Sequence, residues 1–285
     1  MGDFSAERAI TAGFGVIRRK PAALLAWAAV YFVGAILPQG LIWSRMAPIM
    51  ALTRQGQAPD PQMYAEATSG MFAWAPLMWI VGLAVSSVLY GAVFRAQLEP
   101  EDDRYLYLRL TARELWLGLT MIALTVVFVL GGLLTVLAIT LVGHSAPGIV
   151  TFVVCLAAIV AFVWLAMRMS LATAMAFAER RFVFAEVWPL TAGHALKLFG
   201  VMLALIVILV VLEMVLFVPI GLALGFSGAM RHMSSGAPPD FGQMLPWLFL
   251  GGVLASLFGA AVLAIIGAPW ASIYQQLTGT EAPAA

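Results

Sequence analysis

The sequence predicts an all-α fold, a polytopic membrane bundle of six transmembrane helices, and three features carry that expectation. Hydrophobic residues make up 63% of the 285-residue chain and charged residues only 10%, against about a quarter charged in soluble domains. The apolar residues gather in six long stretches, near 21–43, 71–94, 115–141, 149–167, 198–222 and 245–267. A hydrocarbon core about 30 Å thick takes roughly 20 helical residues to cross, so these stretches are span-length. Every Lys and Arg except Arg45, Arg54 and Arg231 lies before the first stretch, after the second or after the fourth. Basic loops stay on the cytoplasmic side. The expected protein is therefore a single integral-membrane domain over 1–285, multi-pass in a bacterial inner membrane, with both termini cytoplasmic. Residues 45–70, 143–148 and 227–244 are expected to face outward.

The first stretch follows Arg18, Arg19 and Lys20, as a signal peptide would, but no small-residue cleavage site lies near Pro38, so an uncleaved span is expected. The uncharged run from Leu115 to Met167 is too long for one crossing. It breaks at Gly143-His144-Ser145-Ala146-Pro147-Gly148, which makes it a tight helical hairpin. Trp43, Trp74 and Trp247 fall near the expected outer ends of spans, and Trp27, Trp116, Trp164 and Trp270 near the inner ends, as an aromatic belt requires. Small residues at i, i+4 mark packing faces: Gly252, Ser256, Ala260, Ala264 and Ala268 in the sixth span, and Ala166, Ser170, Ala174 and Ala178 at the end of the fourth. The single cysteine, Cys155, reads as a small buried hydrophobe, with no intrachain disulfide open to it.

Three segments between the spans mix apolar residues with charge: 4–20, 101–114 and 182–197. Ile10, Phe14 and Ile17 share one helical face, with Glu7, Arg8 and Arg18 elsewhere; Tyr105, Leu108 and Leu115 alternate with Arg104, Arg109 and Arg113. The pattern predicts cytoplasmic amphipathic helices lying in the headgroup region. A rival reading extends the spans themselves into the cytoplasm. Pro21 is expected to separate the first such helix from the first span.

An internal parallel repeat is also expected. A shift of 180 places Phe4 on Phe184, Ile10 on Leu190, Thr11-Ala12-Gly13 on Thr191-Ala192-Gly193, and Pro59-Asp60 on Pro239-Asp240. Offsets one larger and one smaller align Gln62-Met63 with Gln243-Met244 and Gln97-Leu98 with Gln276-Leu277. The units are about 4–98 and 184–277, with 101–178 as a diverged middle unit; copies entering from the same side would be related about the membrane normal.

Few residues carry chemistry. Asp60, before Pro61, and Asp240, before Phe241, are expected to be structural helix caps, with Gln243 completing a capping box. Glu213 is the acidic residue within a span, past mid-depth toward the outer side. An intramembrane carboxylate is a functional candidate by default. One reading makes it a neutral acid hydrogen-bonded to a neighbouring helix, with Ser256 and Thr135 as polar partners at compatible depth. The other makes it a proton- or substrate-coupling residue. His144 reads as an interface residue, and His194 with Glu186 supplies too few ligands for a metal. No phosphate loop, nucleophile elbow or metalloprotease motif occurs, and the acidic run Glu99, Glu101, Asp102 and Asp103 reads as a solvated loop. No catalytic residue, metal or cofactor is expected.

The run Arg168-x-Ser170 through Ala185-Glu186-x-Trp188-x-Leu190-Thr191-x-Gly193 and Leu198-Phe199-Gly200 resembles a bacterial family. So do Arg95-Ala96-x-Leu98-x-Pro100-Glu101-Asp102, Tyr107-Leu108-Arg109-Leu110 and the closing Ala268-Pro269-x-x-x-Ile273-Tyr274-Gln275-Gln276-Leu277. The family is the membrane domain associated with glycerophosphoryl diester phosphodiesterases, together with related six-span inner-membrane proteins. The resemblance covers nearly the whole chain and implies the six-span topology. It carries no catalytic residues, because in phosphodiesterase members the catalytic part is a separate soluble domain.

The expected function is that of a non-enzymatic inner-membrane protein that organises lipids or partner proteins. Its partners would be membrane lipids and a protein at the cytoplasmic face, not nucleic acid. The alternative is a transporter or carrier of a small or lipid-like substrate using Glu213.

Overall fold

The computed structural model describes residues 3–40, 46, 49, 52–53, 56–58, 60–145, 147–226 and 241–280. Among the described residues every regular element is helical: α1 (Ala6–Arg19), α2 (Pro21–Tyr31), α3 (Pro61–Leu98), α4 (Ala112–Ser145), α5 (Gly148–Met169), α6 (Ala172–Glu179), α7 (Val187–Leu190), α8 (Ala195–Phe226) and α9 (Phe241–Thr278). Among the described residues six helical stretches are long and apolar enough to cross a membrane: Pro21–Gly40, Ala73–Leu98, Arg104–Gly143, Gly148–Glu179, Ala195–Val218 and Phe249–Thr278. They coincide with the six stretches read from composition.

Local chemistry explains the boundaries. Lys20 leaves helical geometry (φ −132, ψ 59) and Pro21 opens α2, so α1 and the first apolar helix are separate. Proline suits that first position because its missing N–H would be unpaired there anyway. The hairpin between α4 and α5 turns at Pro147 (φ −55, ψ 147). Asp60 precedes α3, and its carboxylate accepts from Gln62 N at 3.0 Å. Asp240, Arg45, Arg54 and Arg231 lie outside the described residues.

Two of the three expected amphipathic helices are absent as helices. Within 101–114 the chain makes a tight 3-10 turn, Arg104–Tyr107. Tyr105, Leu106 and Tyr107 there hold φ values of 53, 55 and 67. Left-handed geometry costs a non-glycine residue about 1–2 kcal/mol, so something must hold it. Tyr107 is fully buried, and its hydroxyl donates to the Pro100 carbonyl at 2.8 Å. Within 182–197 only the single turn α7 forms, and Gly193 (φ 80) redirects the chain before α8. Only α1 is a sustained helix, and the face it packs inward is that of its small residues. Ala9, Ala12, Gly13 and Val16 are buried, whereas Ile10 and Ile17 are half-buried and Phe14 is exposed.

Two compact units are discernible. The first comprises Met1–Val16, Tyr90–Ala204 and Ala264–Ala285; the second comprises Ile17–Leu89 and Leu205–Leu263. The second is built by aromatic rings over small residues. Phe32 meets Phe249 edge-on at 5.5 Å and Phe217 meets Phe258 at 5.6 Å. A Cβ on Gly252 would sit 2.9 Å from Phe32 Cε2, and one on Gly259 2.7 Å from Tyr31 Cε1. The small-residue face of the sixth span is thus a packing face, with Ser256 and Ala260 buried. The strip expected at the end of the fourth span is interrupted, because α5 stops at Met169 and α6 begins at Ala172.

Candidate functional site

The polar chemistry of the first unit begins with Thr111-Ala112-Arg113-Glu114, a capping box at the start of α4. Thr111 Oγ1 accepts from Arg113 N at 3.3 Å, and Glu114 Oε2 accepts from Thr111 N at 2.8 Å and from Thr111 Oγ1 at 2.7 Å. The remaining Glu114 oxygen forms an ion pair with Arg95 Nη2 from the last turn of α3. Arg95 also donates to the Tyr107 carbonyl at 2.9 Å and to Thr111 Oγ1 at 3.2 Å. A buried charge is tolerated only when paired and hydrogen-bonded, and here both ions are. Gly91 makes room, since a Cβ there would lie 2.6 Å from Glu114 Oε1. The Phe177 ring lies 5.3 Å from the Arg95 guanidinium and 5.4 Å from that of Arg113.

The acidic run is less free than a solvated loop. Asp102 holds Arg109 through two contacts of 2.8 and 2.6 Å, and Glu99 holds Arg113 at 2.9 Å. The hydrogen bond from Arg109 keeps the Asp102 carboxyl below its ordinary value. Arg181 bridges Glu179 and Glu186 at 2.7 Å each. Glu186 is likewise lowered, by backbone N–H groups and then by Arg181. Lys197 reaches Asp3 at 2.6 Å and lies 4.8 Å above the Phe4 ring.

Beside this network lies an apolar cavity of about 330 Å³, whose lining includes Met121, Met167, Met169, Met202, Phe94 and Trp270. No titratable carboxylate, histidine or lysine lines it. Thioether side chains repack easily, so these walls can adapt their shape.

Arg168, in the last turn of α5, differs from every other buried ion here. Its residue is 8% exposed, its Nε has no hydrogen-bond partner, and no carboxylate pairs with it among the described residues. Its guanidinium lies 4.6 Å from the Trp188 ring and 5.9 Å from the Trp164 ring, and these two rings meet edge-on at 5.1 Å. Thr191 fixes the local backbone by donating to the Arg168 carbonyl at 3.1 Å.

The expected candidates fall elsewhere. Glu213 is exposed on α8 in the second unit and is not among the residues lining the cavity. Of its expected partners, Ser256 is buried and donates to the carbonyl of Val253 in its own helix at 2.8 Å, and Thr135 belongs to the first unit. His194 and Glu186 do not share a helical face, since α7 ends at Leu190; His194 instead meets the Phe4 ring edge-on at 5.8 Å. No group of three metal-ligating side chains occurs among the described residues. The Arg95–Glu114 pair and the Arg168 cradle were missed from sequence. The Thr-x-x-Glu spacing at 111–114 was the legible signal for the first; Trp at i−4 from Arg168 was a weak one for the second.

Compared with known proteins, the chain matches no protein-family profile, no curated protein and no solved structure. The fold and site define a helical, multi-pass membrane protein whose buried ions, among the described residues, gather in one of two compact units.

Proposed function

We propose that this is a non-enzymatic protein of a bacterial inner membrane, its basic segments and termini cytoplasmic, that organises lipids or partner proteins. The observation that carries the reading is the Met-lined cavity, whose walls are mostly apolar with the hydroxyl residues Tyr90, Ser170 and Thr173 among them. A hydrocarbon chain suits its walls; a hydrophilic solute would lose its water there for few replacement hydrogen bonds. The surroundings support contact with a bilayer surface. Leu196 is 88% exposed and Tyr105, Leu110 and Leu115 are also exposed, all beside charged segments. The partly exposed Ile10, Phe14 and Ile17 on α1 suit an interfacial helix.

A parallel repeat fits this reading as an ancestral duplication. The second unit draws 17–89 from one proposed copy and 205–263 from the other, which are corresponding portions under the 180-residue shift. Thr11 and Thr191 both donate to the carbonyl four residues earlier, at 2.9 and 3.1 Å. The matched glycines differ: Gly13 lies within α1, where a Cβ would approach Ile265 Cα to 2.5 Å, and Gly193 serves a left-handed turn.

The reading is tested by purifying the full chain in mild detergent and identifying co-purifying lipids and proteins by mass spectrometry. Selective enrichment of a lipid class or of one protein over bulk membrane is the expected result. Retained lipid that mirrors the bulk, with no partner, overturns it.

A further inference from the structure

A cation without a counter-ion, buried at the end of an apolar helix, calls for an anion. The geometry assigns Arg168, between Trp164 and Trp188, as the seat of a phosphate group, carried by an anionic phospholipid or free in solution.

Two features of the protein already favour the cation: the C-terminal end of α5, where the helix dipole is negative, and the faces of two indole rings. Neither supplies an oxygen acceptor to the guanidinium, and Nε remains unpartnered. A guanidinium fork matches a phosphate's oxygens through parallel charge-assisted hydrogen bonds. Arg168 is 8% exposed with its Nε out of solvent contact, and Trp164 is 50% exposed, so a ligand would approach the guanidinium from the Trp164 side. Trp and Arg together at a span end also match headgroup depth, where anionic lipid phosphates lie. Met167 and Met169, the neighbours of Arg168 in sequence, line the apolar cavity. The inference rests on the lipid-organising reading and deepens it by naming the ligand's chemistry.

The test uses the full chain in detergent, titrated with phosphatidylglycerol or with phosphatidylcholine, and counts retained lipids by native mass spectrometry. Wild type should hold phosphatidylglycerol at least roughly tenfold more tightly than Arg168→Gln, as expected for a charge-assisted contact, and should prefer it over phosphatidylcholine. Inorganic phosphate alone, followed by calorimetry, separates the sources. Binding to wild type but not to Arg168→Gln, without lipid preference, supports the seat with a soluble occupant. Equal binding of both probes by wild type and Arg168→Gln overturns it. Should Arg168→Gln fail to fold, Arg168→Lys decides: it keeps the charge but loses the fork, so several-fold weaker binding is expected and wild-type affinity overturns the assignment. Lipid enrichment in wild type that Arg168→Gln leaves intact removes the seat and spares the lipid-organising reading. Absence of any enrichment or phosphate binding in wild type removes both.

Discussion

Arg95 and Glu114 form an ion pair in which the two side chains are 3% and 2% exposed, one from the end of α3 and the other from the first turn of α4. Each ion has a second occupation. Glu114 caps its own helix through Thr111, and Arg95 holds the carbonyl of Tyr107, the last residue of a left-handed turn. One contact therefore joins a helix end, a helix start and the strained link between them.

Breaking the pair from one side should be far worse than removing it whole. Glu114→Ala leaves a buried guanidinium uncompensated and should destabilise by about 3–5 kcal/mol. Glu114→Gln keeps the capping hydrogen bond and should lose less. The double variant Arg95→Met with Glu114→Leu should be more stable than Glu114→Ala, because no lone charge remains. Denaturant or thermal unfolding in detergent of wild type, Arg95→Met, Glu114→Leu and the double variant measures the coupling; simple additivity would contradict the account.

Gly91→Ala probes the same site from the backbone. The new Cβ would lie 2.6 Å from Glu114 Oε1. That oxygen is the tip of a flexible side chain, but Arg95 pins it and Thr111 pins the other oxygen of the same carboxylate. A loss of about 1–3 kcal/mol is expected, as for other overpacked sites, and it should shrink when Glu114 is already alanine. Gly82→Ala, where a Cβ meets nothing within 4 Å, is the control and should be neutral or slightly stabilising.

The six helices were legible because hydrocarbon thickness fixes how many apolar residues a span needs, and residue counting measures that directly. The links between spans were not. Amphipathic spacing in 101–114 fits a helix, yet Tyr107 is worth more buried, with its carbonyl on Arg95, than a helical turn there is. That trade depends on a residue twelve positions away, which no local window contains. The packing face of α1 was not legible for a related reason: close approach to Ile265 selects the small residues Ala9, Ala12 and Gly13, a contact more than two hundred positions away. Glu213 was picked out by rarity of charge in a span, which signals expense without saying what surrounds the group.

Acid should loosen the charged links before the spans. Asp102 and Asp3 are held below the ordinary aspartate value by hydrogen bonds from Arg109 and Lys197. A carboxyl lowered on folding contributes stability that is present above its unfolded pKa and lost as pH falls through the folded one. Stability should thus decline as pH drops below about 4, the ordinary aspartate pKa. Both groups are solvent-exposed, so the effect should weaken in high salt. Asp102→Asn should be less stable than wild type at neutral pH and show a flatter acid limb in pH-dependent melts. A limb unchanged by Asp102→Asn would assign the acid sensitivity elsewhere.

Glu213 offers the sharpest contrast between the sequence reading and the structure. A neutral acid bonded to a neighbouring helix would need Glu213→Gln to be tolerated and Glu213→Leu to be harmful. In the structure Glu213 is exposed on an apolar face beside Met214 and Val215, and Ser256 turns its hydroxyl to its own helix. Nothing among the described residues is left unpaired when the carboxyl goes. Acidic or basic groups at mid-span cost about 2.5–3.5 kcal/mol on insertion scales, less toward an interface. Glu213→Leu should therefore fold and melt at or above the wild-type temperature in detergent, with Glu213→Gln close to wild type. If Glu213→Leu melts several degrees lower while Glu213→Gln does not, the carboxyl has a hydrogen-bonding partner in the assembled protein, and exposure in the single chain is not its working environment.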